Sequence, residues 1–270
     1  MEEPEPGGPP LLSVENLRVS LGSPSREVVS GVGFSIPRGS IVGLAGESGS
    51  GKSITALALT RLLPPAAGAT CSGKVRLEGV GKNLLELPPR ELRRIRGNRI
   101  AYIFQEPSAS FNPVFTIGHQ LEEVLRHSGV SSAGRKTRLA AAMEEVGLEP
   151  SRENLSSHPA SFSGGMLQRL AIACALAAGP DLLIADEPTT ALDTSTQKRI
   201  MDLLLRLNRE HGMAILFISH NLGLLKDAAD RLLVMRLGEL VEEGPTAGLI
   251  GQPRHAYTRS LIEAVPKLAR

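Results

Sequence analysis

The sequence predicts an α/β fold, a mostly parallel sheet covered by helices, because two apolar runs each deliver polar chemistry at their carboxyl ends. Ile41-Val-Gly-Leu-Ala45 leads into Gly46-Glu47-Ser48-Gly49-Ser50-Gly51-Lys52-Ser53, the strand, glycine-rich loop and helix start of a nucleotide phosphate cradle. Leu182-Leu-Ile-Ala-Asp186 leads into Glu187, a buried strand ending in two adjacent carboxylates. Strand, helix and strand alternate after Asp181, as parallel sheets with crossover helices require.

Taken in order, Met1 to Pro10 is acidic and rich in Pro and Gly, which predicts a disordered tail and lacks the basic start and apolar centre of a secretion signal. Leu12–Leu21 and Val28–Ile36 loosely alternate apolar and polar residues across the turn residues Gly22, Ser23 and Pro24, an antiparallel edge. After Ile41–Ala45, a helix from Gly51 is expected to present Ile54, Leu57, Ala58 and Leu62 on one face until Pro64-Pro65 stops it. Lys74–Glu78 and Ile100–Phe104 read as strands. Ile117–Arg126, Arg135–Val146 and Gly164–Ala178 read as helices, a helical lobe inserted over about 107–180. Ile200, Leu203, Leu204 and Leu207 mark a helix that Gly212 caps, and Ala214–Ile218 is another buried strand.

Composition narrows the function. A chain of 270 residues is long enough for one large core with a lobed insertion. Thirty basic against 28 acidic residues leave a formal charge of +2, too weak a field to make nucleic acid the main partner. Aromatic residues make up 3 % and Trp is absent, which argues against base-stacking platforms. The basic group Arg90, Arg93, Arg94, Arg96 and Arg99 is read as a solvated helix face, since no interleaved aromatics accompany it. Cys71 and Cys174 lack metal-ligand spacing and fit a reducing compartment. The longest apolar run, Leu170 to Ala178, falls short of the ~20 residues that span a bilayer, so any membrane role is expected to be peripheral.

The motifs specify chemistry. Gly46, Gly49 and Gly51 allow backbone N–H groups to turn toward phosphates, Lys52 supplies a point charge toward the β- and γ-phosphates, and the Ser53 hydroxyl can ligate Mg²⁺. Asp186 is placed to hold Mg²⁺ through water, and Glu187 to orient or deprotonate the attacking water. Ser163-Gly164-Gly165-Met166 precedes an apolar helix, and its exposed N–H groups form an anion site. Considered singly, these features read as a glycine-rich turn, a capping acid pair and an ordinary serine N-cap. Their order is what gives them meaning.

From Leu11 to about Leu268 the chain resembles the nucleotide-binding subunits of ATP-binding cassette (ABC) transporters. The resemblance rests on Walker A at Gly46 to Ser53, a Q-loop glutamine in Ile103-Phe-Gln105-Glu-Pro107, the signature at Ser163 to Met166, and Walker B at Leu182 to Asp186. Glu187, a D-loop at Ala191-Leu192-Asp193 and a switch histidine in Ile218-Ser-His220 follow. It implies a P-loop (RecA-like) ATPase core over 11–250 with an antiparallel β edge and the inserted lobe, followed by a short C-terminal extension over 251–270. It also implies ATP and Mg²⁺, with two subunits meeting head to tail so that one phosphate loop and the other's Ser163–Met166 segment enclose each ATP. Gln105 would then sense the γ-phosphate and Mg²⁺, His220 would contact the γ-phosphate, and Asp193 would link the two sites.

Phe104-Gln-Glu-Pro-Ser-Ala-Ser-Phe-Asn-Pro113, Phe162-Ser-Gly-Gly-Met166, Pro253-Arg-His-Ala-Tyr-Thr258 and Ala264-Val-Pro266 are similar to the bacterial dipeptide, oligopeptide and nickel importers. That branch implies a peripheral subunit on the cytoplasmic face of the inner membrane. Its partners would be two permease subunits, a second ATPase in a heterodimer or homodimer, and a periplasmic or lipid-anchored substrate-binding protein. The soluble ATPases of phosphonate breakdown carry similar motifs and are the alternative. The chain departs from the family at Leu21, where an aromatic usually covers adenine, and at Met166, where glutamine is common. With no cysteine after Cys174, no iron–sulfur cluster is expected, which tilts the substrate toward nickel or a metal chelate.

Overall fold

The computed structural model describes residues 8–190 and 192–264. Most of the tail expected over 1–10, Ala191 of the D-loop, and the 265–270 end of the C-terminal segment lie outside the described residues.

In chain order the elements are β1 (Leu12–Leu21), β2 (Arg26–Ile36), β3 (Ile41–Ala45), α1 (Lys52–Leu59), β4 (Thr70–Leu77), α2 (Pro89–Ile95), β5 (Ile100–Ile103), α3 (Ile117–His127), α4 (Ser132–Glu145) and α5 (Arg152–Ser156). Then come α6 (Gly164–Leu176), β6 (Leu182–Asp186), α7 (Thr194–His211), β7 (Ala214–Ser219), α8 (Leu222–Ala228), β8 (Arg231–Arg236), β9 (Glu239–Pro245), α9 (Thr246–Gly251) and α10 (Ala256–Glu263). They fall into two compact units, residues 1–92 with 212–270 and residues 93–211.

The first unit holds two sheets. β1 pairs antiparallel with both β2 and β4, so the antiparallel strands form a sheet of their own. Leu12, Val14, Leu17 and Val19 of β1 are buried. The two-residue alternation slips between Val14 and Leu17, where the register shifts and Asn16 adopts φ +49°. Opposite the slip, a Cβ on Gly73 would lie 2.4 Å from the Asn16 carbonyl oxygen, so only glycine fits there. The second sheet of this unit runs β7-β3-β8-β9, with β3 parallel to both neighbours and β9 returning antiparallel to β8. β3 and β7 are buried at every position, as strands covered on both faces should be. The Asp230 carboxylate accepts the Ile41 N–H at 2.8 Å and so seats the start of β3.

Helix α1 departs from the expected pattern. It ends at Leu59, capped by Thr60, and buries Thr55, Ala56, Ala58 and Leu59, so that of the expected row Ile54, Leu57, Ala58 and Leu62 Ala58 alone is buried. Ile54 and Leu57 are half-buried, and Leu62 lies beyond the helix. The helix packs against β1 and β2, while the Thr55 hydroxyl reaches the Met235 sulfur of β8 at 3.6 Å. A helix covered on more than one side has no single apolar stripe to read.

The second unit pairs β5 and β6 in parallel, Ile100 opposite Leu182 and Tyr102 opposite Ile184. An Arg99–Asp181 ion pair locks their starts, and the Asp181 and Leu182 N–H groups both donate to the Arg99 carbonyl at 3.0 Å. Between these strands α3 packs on α4 and α5, and α4 on α6. Arg138 of α4 donates to the Ala177 carbonyl at 3.0 Å, closing the C-terminal end of α6. Ile200, Leu203, Leu204 and Leu207 are buried along α7, and Gly212 follows at φ +62°, as the sequence predicts. The expected lobe over 107–180 lies within this unit, which also takes in β5, β6 and α7. Among the described residues no helix is long and apolar enough to cross a membrane.

Candidate nucleotide site

In the first unit, β3 runs directly into the phosphate loop and α1 leaves it at Lys52. Gly46 has φ +153°, and a Cβ there would come within 2.3 Å of the Met235 carbonyl oxygen and 2.7 Å of the Ser50 hydroxyl. Gly51, at φ +101°, would meet the Val28 carbonyl oxygen at 3.1 Å. Gly46 and Gly51 are therefore demanded by the neighbouring backbone, whereas Gly49 faces open space and is favoured by its φ of +81° alone. Lys52 is only 4 % exposed, and its ammonium donates to the carbonyls of Gly46 and Glu47, each at 2.8 Å. It is thus already held over the loop's mouth. The loop is tied from outside by the Gly238 N–H, which donates to the Ser50 carbonyl at 2.9 Å. Glu47, Ser48 and Gly49 are exposed, while Ser50 and Gly51 are buried and Ser53 half-buried.

Two other expected residues sit in the same unit. His220 is exposed directly after β7, and Asn221 beside it caps α8 by accepting the Gly223 N–H at 3.0 Å. Leu21 ends β1 half-buried, opposite Arg26 of β2.

The second unit carries the acidic pair. Asp186 ends β6 at 5 % exposure, and the Tyr102 hydroxyl of β5 donates to its carboxylate at 2.7 Å. Burial first, and Asp186 second, push the Tyr102 phenol far up, so it stays a neutral donor. Glu187 adopts φ +46°, which a residue with a Cβ rarely takes and which turns the chain sharply after the strand. Its carboxylate accepts the Thr190 hydroxyl at 2.9 Å and the Gln105 amide at 3.4 Å. Gln105 and Glu187, 82 residues apart in sequence, are thus brought together.

The signature segment opens α6. The Ser163 hydroxyl caps it by accepting the Met166 N–H at 3.4 Å. A Cβ on Gly165 would lie 2.8 Å from the Thr196 methyl of α7, and one on Gly164 3.8 Å from Leu192. A Cβ on Gly164 would make ordinary contact, whereas Gly165 lets the segment lie against the start of α7. There the Asp193 carboxylate accepts the Ser195 hydroxyl at 2.7 Å and the N–H groups of Ser195 and Thr196 at 3.1 and 3.0 Å. The Ser195 hydroxyl and then Thr196 hold the Asp193 carboxyl well below the usual carboxylate range.

Sequence reasoning missed Tyr102, Thr190 and Gly238, because their roles come from partners distant in sequence or from a motif's unremarked flank. Tyr102→Phe removes the donor to a buried carboxylate and is expected to lower stability by about 1.5–3 kcal/mol. A urea midpoint equal to that of the parent protein would show that the bond contributes nothing. Elsewhere Arg90, Arg93 and Arg94 are exposed, while Arg99 is taken by Asp181.

Ser53 in the first unit carries a hydroxyl, and Gln105 and Asp186 in the second an amide oxygen and a carboxylate. Such hard oxygen donors suit Mg²⁺, which takes few protein ligands and fills its shell with phosphate and water. A glycine-rich phosphate loop, a strand-end carboxylate pair and a serine-capped glycine helix start together define a P-loop ATPase of the cassette class.

The family model described as ABC transporter matches residues 29–190. The "Peptidoglycan transport ATP-binding protein YejF" of Agrobacterium fabrum is 46 % identical over 261 residues, 96 % of this chain and 47 % of that protein. A "Putative peptide import ATP-binding protein" of Brucella abortus, BAB2_0817, is 44 % identical over 268 residues, covering 96 % of this chain and 78 % of its own length. The chain therefore spans about half of the first relative and most of the second. The solved dimer of the cassette MJ0796 in a post-hydrolysis state bound to ADP and Pi superposes with TM-score 0.74 at 28 % identity, over 87 % of this chain and 98 % of that one. The chain belongs to the ABC transporter family, and within it to the ATP-binding subunits.

Proposed function

We propose that this chain hydrolyses ATP to power import through a membrane complex of the peptide class. The observation that carries the reading is Glu187, turned out of β6 at φ +46° with Gln105 and Thr190 on its carboxylate. This fits a general base held beside a sensing glutamine. Lys52 would exchange its loop carbonyls for the β- and γ-phosphates, while the loop N–H groups hold the β-phosphate. Ser53, Asp186 and Gln105 are the residues that would hold Mg²⁺, which would supply charge neutralisation to the phosphates. Glu187 takes a proton from water as its oxygen attacks the γ-phosphorus, and the bond to the bridging oxygen breaks to leave ADP and phosphate. His220 would hold the γ-phosphate. The Ser163–Met166 segment of a second subunit would close over it, with Asp193 linking the two sites.

The names of the relatives support a peptide-containing cargo, GsiA of Escherichia coli being a "Glutathione import ATP-binding protein" 42 % identical over 264 residues. Peptide is therefore preferred over nickel or a metal chelate. The proposed organisation is a cassette domain over 11–250 and a short segment over 251–270. The partners would be two permease subunits, a second ATPase and a substrate-binding protein, and the place of work the cytoplasmic face of the inner membrane. Purifying tagged Glu187→Gln with ATP from detergent-solubilised membranes and identifying its companions by mass spectrometry tests this. Two polytopic proteins with a second ATPase would support the importer. Soluble companions alone would overturn it in favour of a non-transport complex.

Leu21 is proposed to face the adenine by apolar contact. Leu21→Tyr is expected to tighten ATP by about 2- to 10-fold, the range of an added ring stack. Calorimetry showing no gain would mean that another residue covers the base.

A further inference from the structure

Pro253-Arg-His-Ala-Tyr-Thr258 plays no part in the chemistry derived above, and it lies outside the residues 29–190 that the family model matches. In the structure this segment is fastened at both ends. The two oxygens of the Glu242 carboxylate on β9 accept the N–H groups of Arg254 and His255, at 2.8 and 3.1 Å. His255 then caps α10, its Nδ1 accepting the Tyr257 N–H at 3.1 Å. Tyr257 itself is 6 % exposed, and the Arg236 guanidinium lies over its ring, 4.9 Å from the centroid. Its hydroxyl accepts the N–H of Glu47, the second residue of the phosphate loop, at 2.9 Å.

We propose that Tyr257 is a positioning residue of the nucleotide site, tying the first turn of the phosphate loop to the C-terminal segment. This rests on the reading of Gly46–Ser53 as the phosphate cradle. Gly46, Gly49 and Gly51 all have positive φ, so the loop is built from residues with the most backbone freedom to lose. Lys52 ties the loop to itself through the Gly46 and Glu47 carbonyls. Once the ammonium turns to the phosphates it releases those carbonyls, and within the loop the Ser50 N–H on the Glu47 carbonyl, at 3.2 Å, remains at the moment the loop must be most ordered. Two external ties do not depend on Lys52: the Gly238 N–H on the Ser50 carbonyl and the Tyr257 hydroxyl on the Glu47 N–H. The first holds the far end of the loop and the second its start. Burial also pushes the Tyr257 phenol up, so it remains a hydroxyl at working pH. The ordering that Tyr257 supplies belongs to the bound state, so its loss should fall on affinity rather than on the chemical step.

Tyr257→Phe keeps the ring beneath Arg236 and removes only the oxygen. ADP affinity by calorimetry is expected to fall about fivefold, the size of one net hydrogen bond. KM for ATP should rise by the same factor while kcat at saturation holds. Amide exchange at Glu47 in the ADP complex should quicken, with β3 amides unchanged. Lys52→Ala, measured alongside, separates the possible failures. If it weakens ADP while Tyr257→Phe leaves affinity and Glu47 exchange as they were, the tie is refuted and the phosphate-loop reading stands. If Lys52→Ala also binds ADP normally, the phosphate-loop reading falls and the tie with it. A Tyr257→Phe protein that melts lower yet binds ADP like the parent would assign Tyr257 to packing alone and overturn the proposal.

Discussion

Glu187→Gln is expected to bind ATP as tightly as the parent chain while turnover falls by about 10²- to 10⁴-fold, the contribution of a positioned general base. The amide is isosteric, so the turn at φ +46° survives and an oxygen remains to accept the Thr190 hydroxyl. What disappears is the negative charge and with it the capacity to take a proton from water. The change leaves the residues of the phosphate loop, Gly46 to Ser53, as they are, which is why affinity should hold. Single-turnover hydrolysis beside equilibrium ATP binding makes the check. Turnover within a few-fold of the parent would remove Glu187 from the mechanism and leave its backbone geometry without a functional reason.

Lys52→Ala should act on the opposite quantity. A single ammonium on the β- and γ-phosphates, buried to 4 % exposure, makes charge-assisted bonds whose combined loss is expected to weaken ATP and ADP by about 10²-fold. The nucleotide-free protein should change less, since Lys52 there donates to neutral groups of the loop, the Gly46 and Glu47 carbonyls and the Ser50 hydroxyl. Its loss is expected to lower stability by about 1–2 kcal/mol through poorer satisfaction of those groups. Calorimetric titration with ADP and a urea melt of the nucleotide-free protein read the two effects separately. Unchanged ADP affinity would contradict the assignment of the loop.

Much of the architecture could be read without coordinates because buried parallel strands advertise themselves. Ile41–Ala45, Leu182–Asp186 and Ala214–Ile218 are short apolar runs that give way abruptly to glycine, acid or Ser219-His220, and the structure places a strand at each. The helix carrying Ile200, Leu203, Leu204 and Leu207 has one wet side, so its stripe is plain. Where an element is covered on several sides or barely at all, the pattern fades. α1 is the first case. β9 is the second, its residues half-buried or exposed throughout, and like β8 and α8 to α10 it was not assigned from the sequence.

The candidate site divides along similar lines. Residues whose chemistry and spacing form local motifs, from Gly46 to Ser53 and at Asp186, Glu187 and Ser163–Met166, are legible because a short loop must supply its N–H groups or carboxylates in one order. Tyr102, Thr190, Gly238 and Tyr257 carry no such mark. A hydroxyl or a glycine N–H gains its meaning from the atom it faces, and that atom may belong to a strand 84 residues away, as with Tyr102 and Asp186, or to a loop 210 residues away, as with Tyr257 and Glu47. Local order along the chain specifies which groups meet a phosphate, because those groups lie within one turn of each other. Which side chains hold those groups still is decided only when distant segments pack, since a hydrogen bond depends on distance and angle, and neither is written in the spacing of residues.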